Sequence, residues 1–197
     1  NENYIMPADP ADDVSDAIVR GMYRFRGAGT ADGRLRVHLL ASGSAMQQAL
    51  AAAAVLEDYG CAVDIWSVTS FNELYRDAIA CERWNRLHPA ATPRRSHLER
   101  LLAEERGVFV GVSDYVKAYA ESISQWVPGP FVALGTDGFG RSESREALRD
   151  YFEIAPAHIA VAALDALRRV GAASIEDVQD VMQRHGIDKD KIDPAVV

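Results

Sequence analysis

Residues 131–152, FVALGTDGFGRSESREALRDYF, carry the pattern on which the fold prediction rests. A short apolar run is followed by a turn with three glycines and then by an amphipathic run that begins at Ala147. This order predicts a strand, a tight turn and a helix. Gly135, Gly138 and Gly140 allow the backbone to come close to another chain segment or to a ligand. The preceding strands are therefore expected to build a sheet that presents this turn.

The polar chemistry of the turn comes from Asp137, Arg141, Ser142 and Arg145. A glycine-rich turn that leads into a helix can hold a phosphate, because the first helical amides are unpaired. Here the spacing is G-x-x-G-x-G, no Gly-Lys-Ser/Thr follows, and two glutamates already place negative charge in the first helical turn. We therefore favour an assembly contact over a ligand site, and both remain candidate roles for these residues.

Three further strands are predicted before the turn, because each is a short and almost continuously apolar run. Helices are predicted between and after them, so strands and helices alternate along the chain. This alternation predicts an α/β fold of three layers, with a mostly parallel mixed sheet and helices on both faces. The predicted strands lie at residues 34–41, 61–68, 107–112 and 131–134, and the predicted helices at residues 46–59, 72–85, 97–105 and 114–127.

The four strands, which contain Val37, Ile65, Val110 and Val132 in turn, are expected to lie side by side in the sheet. A fifth strand at residues 23–25 is expected to run antiparallel at an edge, because it precedes a short turn and carries arginine.

The chain divides into a lead-in and one domain. Residues 1–13 contain two prolines and no sustained period, so they are predicted to be an extended lead-in from an upstream domain. Residues 14–197 are predicted to form a single α/β domain that ends in helices at residues 156–170 and 175–185. The chain begins with Asn1 in place of methionine, which is expected of a fragment or a processed product.

Polar residues follow the predicted parallel strands, at the edge where open α/β sheets bind ligands. Ser44 follows the first strand, Ser113 and Asp114 follow the third, and Asp137 follows the fourth. The simplest interpretation is that the serines cap helices. Ser44 would form a capping box with Gln47, and Ser113 would cap the helix that follows it.

Composition excludes several classes of partner. The net charge of −8 leaves no basic surface for a nucleic-acid backbone. No apolar run has the length of a membrane span, and the start of the chain lacks the pattern of a signal peptide, so a cytoplasmic protein without a membrane partner is expected. Cys61 and Cys81 have neither the number nor the spacing of a disulfide framework or a zinc site.

No catalytic motif is found in the sequence. The five histidines are scattered, and none has a metal-ligand partner at a short spacing, so a metal site is not expected. A G-x-S-x-G nucleophile motif does not occur. Trp66 and Trp84 would indicate a docking surface if both were exposed.

Four long segments together resemble a known family: NENYIMP at 1–7, DIWSVTSFNELYRDA at 64–78, CERWNRLHP at 81–89 and GTDGFGRSESRE at 135–146. They are similar to the C-terminal domain of the homodimeric, thiamine-diphosphate-dependent E1 components of bacterial pyruvate dehydrogenase complexes. The resemblance extends over essentially the whole chain and implies a transketolase-type C-terminal domain with a mixed sheet.

The resemblance also implies a role inside a larger oxidoreductase. In that family two preceding domains hold thiamine diphosphate and Mg²⁺ at the dimer interface, and the enzyme decarboxylates pyruvate and transfers acetyl groups to the lipoyl groups of E2. Its implied partners are the remaining E1 domains, a second E1 subunit and the E2 acyltransferase. This sequence has neither the diphosphate-and-metal motif nor the activating glutamate, so the isolated chain is expected to be inactive and to hold no cofactor.

A second hypothesis is a free-standing regulatory α/β domain that binds a small molecule at the strand ends. A closed apolar pocket lined by Ser44, Ser113 and Asp137 would favour it. A broad exposed apolar face would favour the detached-domain hypothesis.

Overall fold

The computed structural model describes residues 13–28 and 35–196, which form one five-stranded sheet between two layers of helices. The predicted lead-in lies outside the described residues, apart from Asp13. Across the described residues, no helix combines the length and apolar character that a membrane crossing requires.

The sheet has the strand order β1-β3-β2-β4-β5. Strands β2 to β5 are parallel, and β1 pairs antiparallel with β3 at one edge. Both the parallel neighbours and the antiparallel edge strand are thus confirmed. The strands are β1 (Met22–Arg26), β2 (Arg36–Ser42), β3 (Ala62–Val68), β4 (Val108–Val112) and β5 (Phe131–Leu134).

Eight helices are found among the described residues, together with two short 3-10 turns at Ser124–Trp126 and Pro194–Val196. The helices are α1 (Ser15–Val19), α2 (Ala45–Asp58), α3 (Phe71–Leu87), α4 (His97–Leu101), α5 (Lys117–Glu121), α6 (Arg145–Tyr151), α7 (Pro156–Arg169) and α8 (Ile175–Arg184).

The two faces of the sheet bury separate apolar clusters, because successive side chains of a strand point to opposite faces. Leu39 of β2 packs on the face covered by α2 and α7, whereas Leu40 packs on the face covered by α3, α4 and α5. This confirms the predicted three layers. Ala49, Ala52 and Ala53 of α2 are fully buried, as expected for small side chains that let a helix lie close to its neighbours.

The predicted helix at residues 114–127 is wrong. The structure has the five-residue α5 and a 3-10 turn in its place. The reason lies in the backbone before α5: the carbonyls of Asp114 and Tyr115 accept hydrogen bonds from the Thr136 hydroxyl and amide, at 3.0 and 2.9 Å. That pairing with the loop after β5 keeps residues 114–116 out of a helix. Ser122 then bonds the Tyr119 carbonyl with its side chain, which favours an early helix end.

Two of the predicted caps are also wrong. Ser44 stands at the start of α2 but its hydroxyl makes no capping bond there. Ser113 accepts a hydrogen bond from the Tyr115 amide at 3.1 Å, which closes a turn and caps no helix. Ser70 does cap α3, since its hydroxyl accepts from the Glu73 amide. The complete capping box at Ser174 and Asp177 is also present.

Candidate functional site

The carboxyl edge of the sheet has a topological switch point between β2 and β4. From β2 the chain crosses to β3 on one side, and from β4 it crosses to β5 on the other. A crevice is expected where two such connections diverge. Ser44 and Asp114 meet there, and the Ser44 hydroxyl donates to Asp114 Oδ2 at 2.9 Å. This bond replaces the capping box predicted for Ser44.

An open cleft of about 330 Å³ lies at this switch point, and we call it the arginine cleft. Its lining is mixed and includes three arginines and other polar groups together with aliphatic and aromatic side chains. Its lining residues are Ser44, Asp114, Thr136, Gly138, Gly140, Arg141, Arg145, Leu148, Arg149, Phe152 and Ile154.

The structure separates the six candidate residues into groups. Asp114, Arg141 and Arg145 line the arginine cleft. Ser142 lines a neighbouring depression that also includes Arg141 and Lys191. The two remaining candidates, Ser113 and Asp137, make hydrogen bonds to backbone amides. The closed apolar pocket lined by Ser44, Ser113 and Asp137 is therefore not formed.

Asp137 joins the glycine turn to the loop before α5. Both of its carboxylate oxygens lie 3.3 Å from the amide of Lys117, the first residue of α5. Thr136 bonds the same loop through Asp114 and Tyr115, as described above. The turn and the loop before α5 therefore form one connected rim at the carboxyl edge.

Arg149 is the functional candidate that the sequence analysis missed. It lies four residues after Arg145 on α6, and residues at this spacing share one helix face. That periodicity alone could have placed both guanidinium groups together.

The guanidinium of Arg141 lies 4.6 Å from the centre of the Tyr151 ring, a cation–π contact between the turn and the end of α6.

Gly138 is required by the close approach of the turn to the C-terminal segment. Its φ of +99° lies in the left-handed region, and a Cβ atom there would collide with the Pro194 carbonyl. We expect Gly138→Ala to lower the free energy of unfolding by about 2 kcal/mol, from backbone strain and this collision. Urea denaturation of the purified chain measures the change.

Gly140→Ala is the matched control for this prediction. A Cβ atom at Gly140 would meet no atom within 4 Å. Its effect is expected to stay within about 0.5 kcal/mol. Equal losses in the two variants would contradict the role assigned to Gly138.

A second polar cluster lies near the opposite, amino-terminal edge of the sheet. His38, Asp64 and Glu105 bring their nitrogen and oxygen atoms within 4.8 Å of one another. No short sequence spacing indicates this cluster, because its residues are far apart in the chain and come together only in the fold. Arg36 Nη2 lies 2.7 Å from Asp64 Oδ2, and Arg24 forms an ion pair with Glu105.

This cluster does not have the chemistry of a metal site. His38 Nε2 lies 2.9 Å from the Arg106 carbonyl, so this nitrogen donates its proton. His38 Nδ1 accepts from Trp66 Nε1 at 3.3 Å. Both ring nitrogens are therefore engaged, and the two nearby arginines would repel a cation. Because Trp66 is buried, it also cannot form the docking surface considered for it with Trp84.

The buried histidines make the stability of the fold sensitive to acid. Burial lowers the pKa of His38 and of His158 below the ordinary value of 6.5. The unfolded chain therefore binds these protons more readily, so stability is complete above pH 6.5 and falls as the pH decreases below it.

We expect the protonation of His38 and of His158 each to reduce the free energy of unfolding by up to about 1 kcal/mol between pH 6.5 and 5.5. Replacing His38 or His158 with phenylalanine should lower the overall stability and remove its share of this slope. Urea denaturation at the two pH values gives both quantities. A slope that is the same in wild type and both variants would contradict the assignment.

Comparisons with known proteins agree with this architecture. Residues 21–155 match the family model of the transketolase-like TK C-terminal domain. The chain is 43% identical over 196 residues to the pyruvate dehydrogenase E1 component of Pseudomonas aeruginosa, covering 98% of the chain and 22% of that relative. It is 42% identical over 198 residues to the E1 component of Escherichia coli K12, covering all of the chain and 22% of that relative. The chain thus spans about a fifth of the length of these relatives.

Solved structures show the same fold at low sequence identity. Transketolase from Leishmania mexicana superimposes with a TM-score of 0.53 at 19% identity, over 78% of this chain and 19% of that one. The family model, the three-layer sheet and this superposition agree, and the chain belongs to the family of transketolase-like C-terminal domains.

Proposed function

We propose that this chain serves as the C-terminal domain of a pyruvate dehydrogenase E1 subunit that depends on thiamine diphosphate. The observation that supports this most strongly is the alignment of 98 to 100% of the chain with one fifth of two E1 components at 42 and 43% identity. In this proposal the longer protein is a cytoplasmic homodimer that decarboxylates pyruvate oxidatively and transfers acetyl groups to lipoyl groups of E2.

The residues that the structure describes do not fit the Mg²⁺ that accompanies the cofactor of that reaction. Mg²⁺ prefers carboxylate and carbonyl oxygens, whereas the arginine cleft offers three guanidinium groups and one carboxylate. That carboxylate, Asp114, already accepts a hydrogen bond from Ser44. The cluster at His38 carries two arginines and an engaged imidazole, so it does not fit either. We therefore assign cofactor binding to the rest of the longer protein.

An assembly role for the chain is supported by exposed apolar side chains on the connected rim. Tyr115 and Phe139 are 62% and 81% exposed, and Val116 is 37% exposed. We call these three residues the aromatic rim. Their two loops are joined by the hydrogen bond from the Thr136 amide to the Tyr115 carbonyl. We propose that the aromatic rim packs against the remaining domains of the same polypeptide or of the second subunit.

The isolated chain is expected to show no saturable binding of thiamine diphosphate with Mg²⁺ in the micromolar range, because it lacks a fitting donor set. Isothermal titration calorimetry measures this directly. The full polypeptide encoded by the same gene is the positive control and should bind the cofactor. Saturable micromolar binding by the isolated chain would overturn this part of the proposal.

The arginine cleft supports one part of the regulatory hypothesis, the binding of a small molecule at the strand ends. It does not support a free-standing regulatory domain, for which a closed apolar pocket was expected, because the cleft is open and basic. It is compatible with a binding site inside a larger enzyme.

A further inference from the structure

The arginine cleft concentrates positive charge in a chain whose net charge is −8. Arg141, Arg145 and Arg149 line it, and Asp114 is the carboxylate among its lining residues. Arg145 and Arg149 lie four residues apart on α6, a spacing that places both on one helix face.

The side chains of the arginine cleft suit an oxyanion in particular. A guanidinium group presents a planar set of N–H donors that can form paired hydrogen bonds with a phosphate or a carboxylate. The cation–π contact of Arg141 with Tyr151 limits the motion of one of these groups before a ligand binds. Ser44 and Thr136 line the same cleft, and their hydroxyls donate to the carboxylate and the carbonyl of Asp114.

The remaining lining of the arginine cleft is apolar. Leu148, Phe152 and Ile154 are its apolar members, and the last two are 9% and 4% exposed. A cleft of about 330 Å³ is at the lower end of the range for small-molecule sites. Its shape and lining therefore fit a compact molecule with an anionic head and an apolar part, more closely than they fit an inorganic ion.

We propose that the arginine cleft is a binding site for a small organic oxyanion, with the head group held by Arg141, Arg145 and Arg149 and the apolar part against Leu148 and Phe152. The site lies in the C-terminal domain and uses none of the residues assigned to cofactor binding elsewhere. The inference stands on this chain's own lining residues, so it does not depend on the activity proposed for the longer protein.

The test uses simple probes of matched shape. Phenyl phosphate and benzoate supply the two anionic head groups on an apolar ring, benzyl alcohol is the neutral control, and inorganic phosphate lacks the ring. Amide chemical shifts recorded by ¹⁵N NMR during titration report both the affinity and the location. We expect one of the ring anions to bind with a dissociation constant of about 0.1 to 1 mM, with shifts at Ser44, Gly138 and Gly140.

Charge-neutral variants distinguish specific binding in the arginine cleft from non-specific attraction of an anion to surface arginines. Arg145→Gln and Arg149→Gln should each weaken binding of the better anion about tenfold or more, since each removes a charged hydrogen-bond donor. Arg83→Gln, which removes an exposed arginine from α3, should leave the affinity unchanged. Arg141→Gln, on the turn outside α6, provides a further test if a helix variant does not fold.

Several results would overturn the proposal. They are equal binding by benzyl alcohol, shifts centred away from the cleft, or the same loss of affinity in Arg83→Gln. The titration is repeated in the full polypeptide. Binding that is present in the isolated chain and lost in the full polypeptide would mean that another part of the protein fills the cleft, which also overturns the proposal. The preferred head group in the full polypeptide then identifies the ligand as a phosphate or a carboxylate.

Discussion

Asp64→Ala is expected to lower the free energy of unfolding by about 3 kcal/mol, the largest loss from a single polar residue in this fold. The Asp64 side chain is fully buried, and it forms ion pairs with Arg36 and Arg24 at 2.7 and 3.9 Å. Its Oδ1, the oxygen nearer Arg24, accepts from the Ala28 amide at 3.2 Å. Removing one partner of a buried charge pair costs about 3 to 5 kcal/mol, and the partial exposure of Arg36 favours the lower end.

Asp64→Asn is the conservative comparison, because it keeps the size and one oxygen acceptor but removes the charge. We expect it to lose less stability than Asp64→Ala does. Urea denaturation of the three proteins at pH 7.5 provides the measurement. A loss below about 1 kcal/mol for Asp64→Ala would show that the buried pair does not stabilise the sheet as we have argued.

Phe139→Asp in the full polypeptide is expected to weaken assembly by at least about 30-fold. An exposed aromatic side chain at the centre of an interface contributes 2 kcal/mol or more, and a carboxylate in its place would be buried without a partner. Tyr115→Asp, on the neighbouring loop, should act in the same direction. Sedimentation velocity at several protein concentrations measures the dissociation of the dimer.

Val19→Asp provides the control for the aromatic rim. Val19 is 77% exposed and lies at the end of α1, outside the rim. We expect it to leave the association unchanged. If Phe139→Asp and Tyr115→Asp also left the dimer intact, the aromatic rim would not be part of the contact with the second subunit.

The sheet was predictable from the sequence because local patterns determine it. Continuous apolar runs at β2, β3, β4 and β5 require that these strands be buried on both faces of the sheet. Because helical segments connect successive strands, neighbouring strands are expected to run parallel through crossover connections. The edge strand β1 was predictable from its arginines and the turn beside it. α7 and α8 begin within one residue of their predicted starts, since Pro156 and Ser174 mark them.

The site was only partly predictable, since it depends on contacts between distant residues. The bond between Ser44 and Asp114 joins positions 70 residues apart, and it engages the hydroxyl that was predicted to cap α2. Local capping rules cannot anticipate a competing partner from another strand. The spacing of Arg145 and Arg149 was visible in the sequence, but their proximity to Ser44 required the sheet order.

The measurement that tests the central claim most directly is pyruvate-dependent reduction of ferricyanide, with thiamine diphosphate and Mg²⁺ present. It compares the full polypeptide, the same polypeptide without these 197 residues, and the isolated chain. We predict turnover by the full polypeptide alone, with the truncated protein losing both its dimer and its activity. Turnover by the isolated chain, or undiminished turnover by the truncated dimer, would contradict the assignment of this domain to assembly.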